Sequence, residues 1–455
     1  MTAPTAGVGT PTAGAGAPVV VAGASMAGLR AAEQLRAAGW DGPITLVGDE
    51  PHMPYNRPPL SKEVLAGTAS FDSLALRPRA GVSDVHWRLG TAVVRADLDR
   101  RTVELDGGET LPYRALVVAT GMRARRLRCP GPATGRHTVR TQADARGLRE
   151  ALTRPGARVV VVGAGFIGCE VAATAVALGA AEVTVVDPQP LPMVGPLGEL
   201  LAGSLLGRHR RRGVRFALGT GVTGFRGEER VTGVVLADGR VLDADVVVES
   251  VGSVANTEWL EGNGLDLSDG VRTDEHLRAG GRPEVVAVGD VARFPNARYD
   301  GVPRRVEHWS IPTDTAKHAA RVLAAHLAGA DHGLAPFAPL PTFWSDQHDF
   351  RLQSFGAPGL GRDDARVLAG DLDGDPDGDV LVGYHRAGRL VGVVALGGRG
   401  AAAAAARYRA ELLRRPDVEQ PAVAQQAVEQ PAVEQPALPQ PAVARPALPH
   451  PAPTA

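Results

Sequence analysis

Val159–Asp187 reads VVVVGAGFIGCEVAATAVALGAAEVTVVD, and Val19–Asp49 reads VVVAGASMAGLRAAEQLRAAGWDGPITLVGD. Each opens with a β-branched run, which suits a strand buried on both faces. Each then turns at glycine, continues as an Ala-rich amphipathic stretch, stops at a second glycine and ends in another apolar run. That is a βαβ unit written twice. Gly23 and Gly163, Gly28 and Gly168, and Gly39 and Gly179 keep one common offset. A solenoid needs at least about three repeats. Two copies separated by a long gap read instead as two nucleotide-binding domains.

In the second unit the turn is Gly163-Ala164-Gly165-Phe166-Ile167-Gly168. The first glycine allows the tight turn, the second lets backbone approach a pyrophosphate, and the third lets helix pack closely on strand. The amides at the helix start then face the phosphates. Asp187 ends the second strand, where the fingerprint expects an acid for the ribose hydroxyls. A carboxylate there repels a 2′-phosphate, and Pro188-Gln189-Pro190-Leu191 offers no cation to bind one, so NADH is expected over NADPH. The first unit turns at Gly23-Ala24-Ser25-Met26-Ala27-Gly28, with small Ser25 in place of the second glycine and with Asp49 or Glu50 available for a ribose. Two mononucleotide-binding units imply two cofactors, and the simplest pair is a nicotinamide that delivers hydride and a flavin that receives it.

A chain of 455 residues, 44% hydrophobic, exceeds one simple core and suits two or three domains. Lys+Arg total 49 against 50 Asp+Glu, so no global field points to nucleic acid or a membrane surface. There is no apolar run of about 18 residues, and no transmembrane helix is expected. Cys129 and Cys169 form no CxxC pair and no disulfide framework, as in a cytoplasmic protein with inert thiols. No metal is expected, and a monomer is the default.

The α/β reading places a disordered leader at 1–17, small and Thr/Pro/Gly/Ala-rich without the features of a secretory signal. An FAD-binding domain follows in two parts, 18–125 and 253–333, around an NAD-binding domain at 145–252. Ala115–Ala119, Asp245–Val251 and Val285–Val288 read as further strands, and Thr313–Leu327 as a helix. Residues 334–413 read as a separate α+β domain, with strands at Leu352–Phe355, Val380–His385 and Leu390–Leu396 and a helix at Ala401–Leu413. Residues 414–455 are proline-rich, too poor in core-forming residues to fold, and read either as a disordered extension or as a docking tail.

Several motifs in order resemble the FAD-dependent ferredoxin reductases that serve oxygenases, a family related to apoptosis-inducing factor; the resemblance covers roughly residues 18–410. Pro54-Tyr55-Asn56-Arg57-Pro58-Pro59-Leu60-Ser61-Lys62 is similar to the family's flavin-contacting segment. The resemblance implies that Arg57 holds the FAD phosphates, that Lys62 lies near the flavin N5 edge and that Glu170 pairs with Lys62. A cation placed there by a carboxylate would stabilise electron-rich flavin. Ala119-Thr120-Gly121 and Val288-Gly289-Asp290 resemble the family's later FAD motifs, with Asp290 on a ribityl hydroxyl. Glu307-His308-Trp309 resembles the tripeptide beside the flavin ring, and Phe343-Trp344-Ser345-Asp346-Gln347 the start of the C-terminal domain, with Trp344 near flavin and acceptor. Val94 and Arg140 join the implied FAD side, and Val251 and Gly252 the implied NAD side. The chain departs from the family in lacking proline in Gly252–Thr257, in Glu249 where a small or apolar residue is expected, and in Met193 where Arg is common.

The implied function is electron transfer from NADH through FAD to an iron–sulfur ferredoxin, serving a cytochrome P450 or another oxygenase. Three alternatives share the same two-domain plan. A disulfide reductase needs a redox cysteine at the flavin, and residues 50–65 contain none. An NADH-responsive sensor would hold a long-lived reduced complex, and an oxidase would pass electrons directly to oxygen. Ferredoxins are acidic, so Arg123–Arg128, His209–Arg212 and Arg304-Arg305 are candidate docking stretches.

Overall fold

The computed structural model describes residues 16–330, 333–372 and 374–414. The proline-rich segment from Pro416 and the leader up to residue 15 lie outside the described residues.

The first βαβ unit sits in a five-stranded parallel sheet. Its order is Val285–Ala287, Ala115–Val118, Val19–Ala22, Ile44–Gly48, His86–Leu89. Every residue of Val19–Ala22 and Ala115–Val118 is buried, which is why those strands run apolar without alternation. Helix Met26–Ala37 follows the first strand and packs against helix Ile311–Leu327. The chain leaves this sheet after Ala115–Val118 and returns for Val285–Ala287, so the strands that build it are split around an insert.

The insert holds the second unit, in a parallel sheet ordered Arg215–Leu218, Glu182–Asp187, Arg158–Val162, Val246–Glu249, Arg136–His137. Its outer strand, Arg136–His137, precedes residue 145, where the sequence reading began this domain. Met122–Ala124 and Ser253–Ala255 run out and back as an antiparallel ribbon between the two sheets. Ala255, where the family commonly has proline, pairs with Met122 in that ribbon.

The third sheet is antiparallel, ordered Thr342–Gln347, Phe350–Gly356, Arg389–Gly397, Val380–Arg386, Ala365–Ala369. The helix expected at Ala401–Leu413 is two short helices, Arg399–Arg407 and Arg409–Leu413. The region is less separate than its texture suggested. Leu197, Leu201 and Leu205 of helix Val194–Arg211 and Cys169 of helix Phe166–Ala177 share one core with Phe343, Leu352, Val382 and Leu396. Met193, replacing the family's arginine, is buried in the same core and takes a left-handed conformation at φ 54°.

Burial holds four histidines neutral, with pKa values lowered to about 4 at His209, His308, His318 and His348. A histidine whose folded pKa lies below its unfolded value of about 6.5 adds stability that is complete above pH 6.5 and lost as pH falls toward 4. Asp290 and Asp314, raised by burial, act in the opposite direction, against these four and His137, whose pKa burial also lowers. The melting temperature is therefore expected to fall steadily between pH 6.5 and 4. A melting temperature that is flat across that window contradicts the assignment.

Candidate functional site

Both parallel sheets place their glycine turns at strand carboxyl ends, where neighbouring strands diverge and open α/β sheets bind ligands. In the first sheet Gly23 follows Val19–Ala22, and Ala119-Thr120-Gly121 follows Ala115–Val118. A Cβ on Gly28 would lie 1.9 Å from the Gly23 carbonyl oxygen, and one on Gly168 would lie 2.0 Å from that of Gly163. Only glycine lets each helix approach its own strand this closely. A Cβ on Gly165 would meet nothing within 4 Å, so the space beside the second helix start is open. Ser25 makes no side-chain capping bond and Gly165 has no side chain to make one, so no N-cap side chain occupies the first amides of either helix.

A cleft of about 700 Å³ runs from the first turn toward the C-terminal sheet. Gly23, Ser25, Met26, Ala27, Asp49, Glu50 and Arg57 line its beginning. Lys62, Val94, Ala119, Thr120, Gly121, Arg140 and Asp290 line its length, and Glu170, Glu307, His308, Trp309 and Trp344 its far end. Phe166 and Ile167 of the second unit also reach it. Gly163, Gly165, Gly168, Asp187, Val251 and Gly252 lie outside it, at the second sheet's turn. Gly28 and Gly289 likewise shape the backbone without lining the cleft. An elongated cleft of this size that starts at a phosphate turn fits a dinucleotide, and FAD is the one implied.

Charged side chains here hold one another. Arg57 Nη2 lies 2.5 Å from Glu50 Oε1, and Arg57 Nη1 donates to Tyr55 Oη at 3.0 Å and to the Arg140 carbonyl at 2.6 Å. Tyr55 Oη donates to Glu50 Oε2 at 2.5 Å. Arg140 Nη2 reaches Asp290 Oδ2 at 3.4 Å. Burial pushes the Asp290 carboxyl above the usual carboxylate range, with Arg140 opposing.

Lys62 Nζ lies 2.8 Å from Glu170 Oε2, joining the first sheet's domain to the second unit's helix. Ser61 Oγ donates to the same oxygen at 2.6 Å, and Ser345 Oγ donates to Glu170 Oε1 at 2.6 Å. Trp309 and Trp344 meet edge to face, with centroids 5.5 Å apart, and Trp309, 44% exposed, donates through Nε1 to Asn56 Oδ1 at 2.8 Å. At the second turn Asp187 Oδ2 accepts from the Ala164 amide at 2.7 Å and Oδ1 from the Gln189 amide at 2.8 Å. An ionised carboxylate has further acceptor sites after two such bonds, enough for a ribose.

Glu249 is buried, accepting from Arg136 Nε and the Leu127 amide at 2.7 Å each. It thereby ties the segment entering the second sheet to the end of a central strand. Most charge in the basic stretches is similarly paired. Arg123 holds Glu258, Arg211 and Arg212 hold Asp377, Arg304 holds Asp300, and Arg305 holds Asp269. His209 is buried and belongs to no surface.

Neither cysteine lines the cleft. Burial pushes the Cys169 thiol far above its usual range, away from the thiolate that disulfide chemistry needs. The sequence reading named Lys62 and Glu170 but not Tyr55, Ser61, Ser345 or Gln347, although all four lie inside motifs it quoted. The alternation in Phe343-Trp344-Ser345-Asp346-Gln347 is the signal that could have placed Phe343, Ser345 and Gln347 together on one buried face.

Two family models match: pyridine nucleotide-disulphide oxidoreductase over residues 17–316, and reductase C-terminal over residues 342–430. The chlorobenzene dioxygenase ferredoxin reductase component of Cupriavidus sp. (strain PS12) is 39% identical over 376 residues, covering 82% of this chain and 87% of that protein. Rhodocoxin reductase of Rhodococcus erythropolis is 38% identical, covering 76% and 79%. The solved covalent putidaredoxin reductase–putidaredoxin complex superposes with a TM-score of 0.79 at 33% identity, covering 88% of this chain and 94% of that one. Among the described residues no helix is long and apolar enough to cross a membrane. Two glycine-turn sheets, a cleft joining them and the matched models lead to one conclusion: the chain belongs to the pyridine nucleotide-disulphide oxidoreductase family and carries that family's reductase C-terminal domain.

Proposed function

We propose that this chain transfers electrons from NADH through FAD to an iron–sulfur ferredoxin that serves a cytochrome P450 or another oxygenase. The observation that carries the reading is the convergence in one cleft of the first unit's phosphate turn, the Lys62–Glu170 pair and Phe166 of the second unit. The relatives named for dioxygenase and rhodocoxin systems support it. The two unpaired thiols suit a reducing cytoplasm.

Bound FAD supplies the redox chemistry, taking an electron pair from NADH and releasing electrons singly. The chain's share is binding and orientation. Gly23, Ser25, Met26, Ala27 and Gly28 receive the FAD pyrophosphate, with Arg57 alongside and Asp49 or Glu50 on the ribose. Val94, Ala119, Thr120, Gly121, Arg140 and Asp290 would border its middle, with Gly289 shaping the backbone that presents Asp290. Glu307, His308, Trp309 and Trp344 border the ring. Gly163, Gly165, Phe166, Ile167 and Gly168 receive the nicotinamide cofactor's phosphates, with Asp187 on its ribose and Val251 and Gly252 across the turn. Lys62, held by Glu170 at 2.8 Å, would supply a positive charge that stabilises a reduced, electron-rich flavin bound in the cleft. No side chain is asked to act as an acid or base in the hydride step.

Catalytic amounts of the protein, mixed anaerobically with NADH and a purified [2Fe–2S] ferredoxin, should reduce two ferredoxins per NADH. Oxygen uptake that is fast without ferredoxin, together with no ferredoxin reduction, would make it an oxidase instead. Asp187 sets the nicotinamide preference. Asp187→Ser, which removes the repelling charge, should narrow the NADH-over-NADPH ratio of kcat/KM at least about tenfold, a difference of about 1.4 kcal/mol. An unchanged ratio would remove Asp187 from this role.

A further inference from the structure

Glu170 is the end of a buried hydrogen-bonded chain that crosses three parts of the fold. Ser345 Oγ meets Glu170 Oε1 at 2.6 Å, and Gln347 Nε2 meets Ser345 Oγ at 2.9 Å. Gln347 Oε1 meets His209 Nε2 at 2.8 Å, and His209 Nδ1 meets His348 Nε2 at 3.1 Å. Glu170 is 5% exposed, Gln347 1%, and Ser345 and His209 0%. Glu170 lies on helix Phe166–Ala177, His209 on helix Val194–Arg211, and Ser345 and Gln347 two apart on the buried face of strand Thr342–Gln347.

The carboxylate fixes the direction of every bond in the chain. Glu170 beside Lys62 is acceptor-only, so the single Ser345 proton goes to it. The Ser345 oxygen must then accept from the Gln347 amide nitrogen. The Gln347 oxygen is thereby turned toward His209, whose Nε2 must carry the proton. Nδ1 of His209 is left to accept from His348. One tautomer of His209 and one amide orientation satisfy all four contacts. Burial keeps His209 neutral, which that tautomer requires.

We infer that Ser345 and Gln347 of the C-terminal sheet, keyed by His209, are positioning residues that hold Glu170 and through it Lys62. This rests on the proposed place of Lys62 at the flavin edge. Glu170 Oε2 is satisfied by Lys62 and Ser61, but among the contacts of the described residues Oε1 has Ser345 alone. Without that donor the carboxylate turns, and the ammonium it holds moves with it. A charge-assisted bond at a buried oxygen is the strong kind. The chain orients and does not conduct protons, because the Gln347 amide at its centre donates N–H and accepts at oxygen but is too weakly acidic and too weakly basic to exchange a proton along the chain. The C-terminal domain thus completes the site at the flavin edge as well as carrying Trp344.

The test uses the FAD-loaded full chain with Ser345→Ala, Ser345→Thr and, as a second route to the same contact, Gln347→Met. Ser345→Ala should still bind FAD, with a melting temperature below the parent's because Glu170 Oε1 and Gln347 Nε2 lose their buried partner. Its flavin should be reduced about tenfold more slowly at saturating NADH, with half-saturation unchanged. Its midpoint potential, read by photochemical reduction without NADH, should become more negative by about 30 mV, the equivalent of a tenfold change for a two-electron couple. Ser345→Thr, which keeps the hydroxyl, should restore both readings, and Gln347→Met should shift both in the same direction. A Ser345→Ala protein equal to the parent in rate and potential overturns the inference while leaving the proposed function standing. So does a threonine variant as impaired as the alanine one, which would make the effect one of packing. A parent protein whose flavin NADH does not reduce removes the proposed function, and the inference with it.

Discussion

Gly168→Ala should give a protein that still carries yellow FAD but that NADH reduces at least about 100-fold less readily, whereas Gly28→Ala should emerge colourless. Each substitution adds one carbon. At Gly168 that carbon falls 2.0 Å from the Gly163 carbonyl oxygen, and at Gly28 it falls 1.9 Å from the Gly23 oxygen. The obstacle in both cases is backbone at a turn whose first residue has φ above +100°, so no side chain can swing aside. The helix must lift off its strand, and the amides that receive the phosphates lift with it. Misplacement of a bound partner by about 1 Å is enough to lose about 100-fold in rate. The two units are built alike but, on the proposed assignment, receive different cofactors, so the losses should separate cleanly. Flavin content and anaerobic NADH titration read them. Loss of FAD from both variants alike would mean that the two turns are not independent sites.

Glu249→Ala should lower the stability of the second sheet's domain by about 3–5 kcal/mol, because it strands a buried guanidinium. Glu249 has no exposed side-chain surface, and Arg136 is 9% exposed. Arg136 also donates to the Leu127 carbonyl and stacks over the Phe225 ring at 4.0 Å, so it has no route to solvent when its partner goes. Arg136→Met with Glu249→Leu replaces the pair by apolar groups and should recover much of the loss. Urea unfolding of the three proteins measures this, and a single variant within about 0.5 kcal/mol of the parent would show that the pair is dispensable.

Both βαβ units were legible because their information is local. The β-branched run, the glycines and the terminal acid lie within one stretch of chain, and the strands are buried on both faces as an unbroken apolar run requires. Arg136–His137 was not legible as a strand, since two polar residues at a sheet edge have no periodicity to read. Ala401–Leu413 carried a continuous helical composition with no glycine or proline to mark the break at Tyr408, where both short helices pack on the third sheet. The site divides in the same way. Lys62 and Glu170 were reachable through motif resemblance. Ser345 and His209 lie 175 and 39 residues beyond Glu170, and only the shared core between the second and third sheets brings them together. His209 was read as part of a basic surface because Arg210, Arg211 and Arg212 follow it. The arginines obey that reading in part, but the helix turns the histidine inward.

The central claim is that two dinucleotide sites on one chain pass electrons from NADH to flavin. It is tested most directly by recording the visible spectrum of the purified protein and titrating it anaerobically with NADH and, separately, with NADPH. The account predicts a flavin spectrum that about one equivalent of NADH bleaches, with NADPH much less effective. A colourless protein that cannot be reconstituted with FAD, or a yellow one that NADH leaves unchanged, would contradict it.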